Sequence, residues 1–335
     1  MKSGISIKEI SQKAGVSIAT VSRVINKKGR YSKETEERVM RIIEENHYEP
    51  NLVARGLRVQ RMKNVGIIVP DITNEFFMKL VHKIEKELFA QGYETFLCNT
   101  DEDEEMERIR TQMMTMQNAC GLIFLSGGTA EMMNSHSDIP MVFIDRFPRQ
   151  AQENDCMISS DNIEGGFLAT RELLEQGCKN ILIMTSRKPI SVYTDRFEGY
   201  VRALTQSGLD AGHIHVSYLD RLHYQDAYEE MVRILESAEF HYDGIFACSD
   251  WLALGCYKAL AERGYDIPGQ VKIVGFDDIS IVAFNAVPIT TIRQQVDEIG
   301  RLAAEHLLRA LEGEEAPDQV IRVPVVLVPR ESTRG

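Results

Sequence analysis

The chain has 335 residues, 44% of them hydrophobic, and a formal net charge of -12. That is enough for two or three domains with real cores, and no run approaches the 18 apolar residues of a membrane span. The acid excess argues against a polyanion partner for the chain as a whole, but the charge is unevenly spread: residues 1–63 hold 14 Lys and Arg against 7 Asp and Glu, and the remainder holds 24 against 43. A basic end on an acidic body is the footprint of a DNA-binding headpiece. The six cysteines, Cys98, Cys120, Cys156, Cys178, Cys248 and Cys256, show no C-x-x-C pair and no metal-ligand spacing, which points to reduced, packed thiols. With no apolar signal-peptide core, the expectation is a cytoplasmic protein without metal or cofactor.

From the N-terminus, Ser6-Ile7-Lys8-Glu9 forms a capping box, in which Ser6 and Glu9 satisfy each other's free backbone donors. Ile7, Ile10 and Ala14 mark one face of this first helix, Gly15 supplies a turn, and Ser17 caps a second helix reaching about Asn26, with Val21, Val24 and Ile25 inward. Ser32 caps a third, which carries Val39, Ile42 and Ile43 and ends before Pro50. Helix, Gly-bearing turn, helix is the arrangement whose second helix enters the DNA major groove by its N-terminal residues. The candidate DNA contacts are therefore Ser17, Ile18, Ala19, Thr20, Ser22, Arg23 and Asn26, with Arg23 suited to bidentate bonding of guanine.

Residues 50–63, PNLVARGLRVQRMK, read as a joint. Asn51 to Val59 is a helix that barely forms alone, being short and carrying Gly56 inside it. Where two copies meet over a minor groove, Leu57 can wedge between base pairs while Arg55 and Arg58 meet phosphates.

After Val65 short apolar strands alternate with amphipathic helices. Strands are expected at 65–69, 95–98, 121–125, 141–144, 181–184, 244–248 and 271–276, and helices at 75–91, 104–118, 162–176, 196–207, 224–235 and 253–262. This alternation implies parallel sheets covered on both faces, and about 270 residues fit two such lobes better than one sheet.

The motifs VSIATVSRVIN and YEPNLVARGLR, within a match of nearly sixty residues, resemble the headpiece and hinge of the lactose/galactose repressor (LacI/GalR) family of bacterial transcription regulators. VGIIVPDITNEFF, SDWLALG, VGFDD and TTIRQQVDEIGRLAAEHLL are similar to the effector-binding core of that family. The resemblance implies that Ile18, Ala19 and Arg23 read bases, Tyr48 contacts the backbone and Leu57 intercalates. Gly56 stands where many members carry Ser. The fold it implies is a small all-α helix-turn-helix headpiece on an α/β periplasmic-binding-protein-like core of two doubly wound parallel-sheet lobes, with crossovers near Asp161, Thr290 and Arg322. The corresponding domains are 1–49 (headpiece), 50–63 (hinge), 64–160 with 291–320 (N-terminal lobe), and 161–290 with 321–335 (C-terminal lobe).

Ligands of open α/β sheets sit beyond the carboxyl ends of strands. There the chain places Asn74, Phe76 and Phe77, then Asp145 and Arg146, then Asp277: hydroxyl-binding carboxylates, an amide and guanidiniums beside rings that pack on a sugar face. Resemblance to the ribose-type members adds Arg196 and Gln294, and Leu222, Ser249 and Asp250 complete the candidate effector residues. Leu222 stands where an aromatic clamp is usual and Ser249 where Asn is common, so the sugar need not be ribose. Ile190 and Val192 stand where a purine pocket would want polar groups. No G-x-G-x-x-G follows a strand and there is no Walker loop, which disfavours an enzyme. The expectation is a homodimeric repressor of sugar-utilisation genes that binds palindromic operator DNA under control of a sugar. The competing possibilities are a non-sugar effector such as a nucleoside, a protein co-effector, an exported sugar-binding protein and an architectural DNA protein.

Overall fold

A computed structural model describes residues 5–25, 29–46, 63–126, 139–147, 156–237, 240–314 and 320–334. The chain divides into two units, residues 1–62 and 63–335. In the first, the helix Ile7–Ala14 opens on the expected capping box: the Ser6 backbone N–H donates to Glu9 Oε2 at 2.7 Å and the Glu9 N–H donates to Ser6 Oγ at 3.3 Å. Gly15 then turns the chain at φ 65°, a left-handed position that suits glycine. Ser17 Oγ accepts from the Thr20 N–H at the start of the helix Ile18–Ile25, and Ser32 Oγ from the Thr35 N–H at the start of Lys33–Glu45. Ile10, Ala14, Val21, Val24 and Val39 interlock as the buried core of these three helices. Asn26, Tyr48, Arg55 and Leu57 lie outside the described residues, as does the hinge apart from Lys63.

The second unit has twelve described strands: β1 Asn64–Val69, β2 Glu94–Asn99, β3 Gly121–Phe124, β4 Met141–Ile144, β5 Cys156–Ser160, β6 Ile181–Ser186, β7 His215–Leu219, β8 Gly244–Ala247, β9 Lys272–Asp277, β10 Thr290–Arg293, β11 Val320–Val323 and β12 Val326–Val328. They form two sheets, ordered β11-β5-β4-β3-β1-β2 and β12-β10-β9-β8-β6-β7, parallel except where β12 runs antiparallel to β10. Each is covered on both faces. In the first sheet Val65, Ile67 and Val69 pack with the helices Glu75–Ala90 and Val296–Leu311, while Ile68 packs toward Met114 of the helix Glu104–Met116. In the second, Ile245 and Ile273 face the helices Tyr224–Glu236 and Asp250–Glu262, while Ile183, Phe246 and Val274 face Asn162–Glu175 and Ser191–Gln206. Burial on both faces explains why these strands read as unbroken apolar runs.

The chain passes between the sheets three times: between Ser160 and Asn162, between Arg293 and Val296, and between Val323 and Val326. Two of these positions correct the expected boundaries. Residues 291–293 belong to the second lobe because β10 pairs with β9, and residues 321–323, Arg322 included, belong to the first because β11 pairs with β5. Among the described residues no helix is long and apolar enough to cross a membrane.

Candidate functional site

In the headpiece, burial of Val21 and Val24 turns the opposite face of the second helix outward. Ala19 and Arg23 are exposed there, as is Ser17 at its start, and Ile18, Thr20 and Ser22 are half-buried along its edges. Ser17 and Thr20 are also joined by a hydroxyl–hydroxyl hydrogen bond of 2.9 Å, so the cap organises the end of the helix that carries the candidate contacts.

In the second unit a cavity of about 580 Å³ opens between the lobes at the carboxyl ends of their strands. That volume lies in the range of small-molecule sites. Nine of the eleven candidate effector residues line it: Asn74, Phe76, Phe77, Asp145, Arg146, Arg196, Leu222, Ser249 and Asp277. Asn74 Oδ1 accepts the Phe76 N–H at 3.0 Å, starting the helix that presents both phenylalanines, whose rings meet edge to face with centroids 5.3 Å apart. Ser249 Oγ likewise caps Asp250–Glu262, taking the Leu252 N–H at 3.3 Å.

Arg196 is held from several sides. Its Nε donates to Asn162 Oδ1 at 2.8 Å, its Nη1 to the Cys248 carbonyl at 2.6 Å, its Nη2 lies 3.7 Å from Asp277 Oδ1, and its guanidinium sits 3.5 Å from the Phe276 ring centroid. Its helix can approach this closely because Gly166 and Gly199 let two helix backbones touch: a Cβ at Gly166 would stand 2.1 Å from the Arg196 carbonyl oxygen.

Asp145 directly after β4 and Asp277 at the end of β9 have φ of 60° and 115°, positions that cost a non-glycine residue about 1–3 kcal/mol each. The returning contacts are specific: the Ser160 N–H donates to Asp145 Oδ1 at 2.9 Å, and Gln294 Nε2 donates to Asp277 Oδ1 at 2.6 Å. Burial pushes the Asp277 carboxyl up to about 7, outweighing the pull of Arg196 and Gln294, and raises Asp145 in the same direction.

Two candidates do not line the cavity. Gln294 stands behind Asp277, taking the Ser160 hydroxyl proton on Oε1 at 2.5 Å while its amide bonds that carboxylate. Asp250 lies deeper, accepting from Thr291 Oγ1 at 2.6 Å and from the Ile279 N–H at 2.9 Å, under the space left by Gly275. These two bonds hold its buried side chain inside the second lobe.

The lining also holds groups that the motif reading missed, chiefly Glu102, Tyr193 and a polar rim that includes Lys188, Arg221 and Asp226. Arg146 donates to Glu102 Oε1 at 2.9 Å and lies over the Phe77 ring at 5.7 Å. Both missed residues carried a signal. Tyr193 precedes Arg196 by three on one helix face, and Glu102 follows a strand end just as Asp145 does.

The family described as bacterial regulatory proteins, lacI family, matches residues 6–51, and a periplasmic binding protein-like domain matches residues 170–333. The ribose operon repressor of Halalkalibacterium halodurans is 36% identical over 329 residues, covering 98% of this chain and 97% of that protein. The HTH-type transcriptional repressor PurR of Haemophilus influenzae is 34% identical over 338 residues, 98% of each. A LacI family transcriptional regulator from Enterococcus faecium with bound ribose is 29% identical, with a TM-score of 0.72 over 80% of this chain and 98% of that one. The lac repressor dimer bound to operator and an anti-inducer shares the fold, at a TM-score of 0.88 and 22% identity over 99% of each chain.

Proposed function

Because the chain belongs to the lacI family of bacterial regulatory proteins, a family of DNA-binding repressors, we propose that it represses sugar-utilisation genes as a homodimer on palindromic operator DNA. A monosaccharide or close derivative in the interlobe cavity sets its grip. The observation that carries the sugar reading is the pair of buried carboxylates, Asp145 and Asp277, lining one cavity with Arg196 and with Phe76 and Phe77. Carboxylates accept hydroxyl protons in directional bonds, guanidiniums donate to ring and hydroxyl oxygens, and aromatic faces cover the apolar side of the ring. The ribose operon repressor and the ribose-bound relative support the same reading.

The second reading is a nucleobase effector. Against that stand Val192 on the lining and Ile190 packed into the second lobe, apolar residues at positions where the resemblance calls for polar groups toward a purine.

The effector acts by drawing the lobes together about the three crossovers, and it shifts the repressor only by its differential affinity for the two lobe arrangements. In the headpiece the exposed edge at Ala19 and Arg23 meets bases, and the hinge at 50–63 carries the signal between the units. A thermal-shift screen against pentoses, hexoses, hypoxanthine and guanine tests the effector, and fluorescence anisotropy on operator DNA tests the response. A sugar that raises the melting temperature and changes operator affinity is the expected result. A purine that does both, with every sugar silent, would overturn the sugar reading, and turnover of any of these compounds would overturn the repressor reading.

A further inference from the structure

We propose that the cavity selects an uncharged sugar over its phosphate ester, and that Glu102 is the residue that enforces the choice. This rests on the sugar reading above and narrows it.

Among the described residues the lining carries seven carboxylates against four Lys and Arg side chains, a formal excess of three negative charges. Three of the four cations face a carboxylate within the cavity, and the fourth, Lys188, is exposed on the rim. Arg196 gives its Nε to Asn162 and its Nη1 to the Cys248 carbonyl and turns its Nη2 toward Asp277 at 3.7 Å. Arg221, on the rim and mostly exposed, is 3.5 Å from Asp226. The remaining deep guanidinium, Arg146, is buried and would make the natural anchor for a phosphate, since a guanidinium fork matches phosphate oxygens. Glu102 Oε1 already accepts from Nη2 of that fork at 2.9 Å.

Glu102 is held there by backbone geometry. Asp101 and Glu102 adopt φ of 53° and 57°, two successive left-handed residues between β2 and the helix that Asp103 caps. The Glu102 N–H donates to the Pro70 carbonyl at 3.0 Å, which ties this turn to the loop after β1. A phosphate dianion reaching the depth of the cavity therefore meets an arginine already paired with Glu102, beside the carboxyl groups of Asp145 and Asp277. A neutral hydroxyl meets acceptors. Discrimination of this kind comes from the repulsive element as much as from the attractive one.

The test is calorimetric titration of the full chain with D-ribose, D-xylose, D-galactose and D-glucose, and with ribose 5-phosphate, galactose 6-phosphate and glucose 6-phosphate. The same series is run on Glu102→Gln, which keeps an acceptor for Arg146 and removes the charge. The expected result is that a neutral sugar binds the wild type at least 100-fold more tightly than its ester, and that the gap narrows tenfold or more in E102Q. An ester that binds the wild type as tightly as its parent overturns the proposal whether or not the variant folds. A gap unchanged in an E102Q protein of normal melting temperature overturns the role of Glu102. Silence from every sugar and every ester refutes the sugar reading, and this inference falls with it.

Discussion

Asp277→Asn isolates what burial does to the carboxylate at the end of β9. The amide keeps an oxygen for Gln294 Nε2, and Asn is among the residues that best tolerate a positive φ. Moving the acid from 3.8 in the unfolded chain to about 7 in the folded protein means that the charged form is disfavoured by about 4 kcal/mol, with the attraction of Arg196 already included. Because the folded pKa is raised, the folded state holds its proton more tightly between about pH 4 and pH 7. Wild-type stability therefore falls as pH climbs through that window and levels off above it. The variant cannot ionise, so its advantage over the wild type should grow by about 1.4 kcal/mol per pH unit across the window, or about 3 kcal/mol between pH 5 and pH 8. Urea midpoints for both proteins at these two pH values measure it. The same substitution removes a charged acceptor from the cavity, a hydrogen bond of about 1.5–3 kcal/mol, so affinity for the sugar found by screening should drop ten- to a hundredfold at pH 8. An Asn variant that is less stable by the same amount at both pH values would refute the argument, because it would mean that the carboxylate is paid for by its partners at every pH.

Three other perturbations test other parts of the molecule. Arg23→Ala should cost operator binding about 1–3 kcal/mol and relax the preference at one base position; a binding series over operator variants that shows a uniform loss would assign Arg23 to phosphate instead. Gly199→Ala would place a Cβ 2.1 Å from the Ile163 carbonyl oxygen, so the two helices must part, and a loss of about 1–3 kcal/mol or more is expected in urea melts together with weakened sugar binding through Arg196; normal stability would show that the helices have room to spare. Ser6→Ala breaks the capping box and should lower headpiece stability by about 0.5–2 kcal/mol, read by amide exchange in the helix Ile7–Ala14, with protection equal to wild type counting against it.

Local rules made the headpiece legible. Ser6, Ser17 and Ser32 cap the helices they were expected to cap, because a hydroxyl three residues from a backbone N–H needs nothing distant to make its bond. The strands buried on both faces, such as Val65–Val69 and Gly121–Phe124, were equally plain as apolar runs. Cys156–Ser160 and His215–Leu219 were not, since their side chains mix polar with apolar and their identity as strands comes from the neighbours they pair with. The strand-end rule found Asp145 and Asp277 but passed over Glu102, which lies at the same kind of position in a run of acids that looks like an ordinary solvated helix start.

The chain by itself determined the two kinds of unit, the helix caps and most of the residues that reach the cavity, because each depends on spacing along a few consecutive residues. Tertiary structure alone decided which lobe receives Thr290–Arg293 and Val320–Val323, that Gln294 and Asp250 stand behind the wall, and that Arg146 meets Glu102 forty-four residues away. These outcomes follow from strand partners and from contacts between distant segments. No periodicity within one segment encodes them, since the energy that selects them exists only once both partners are in place.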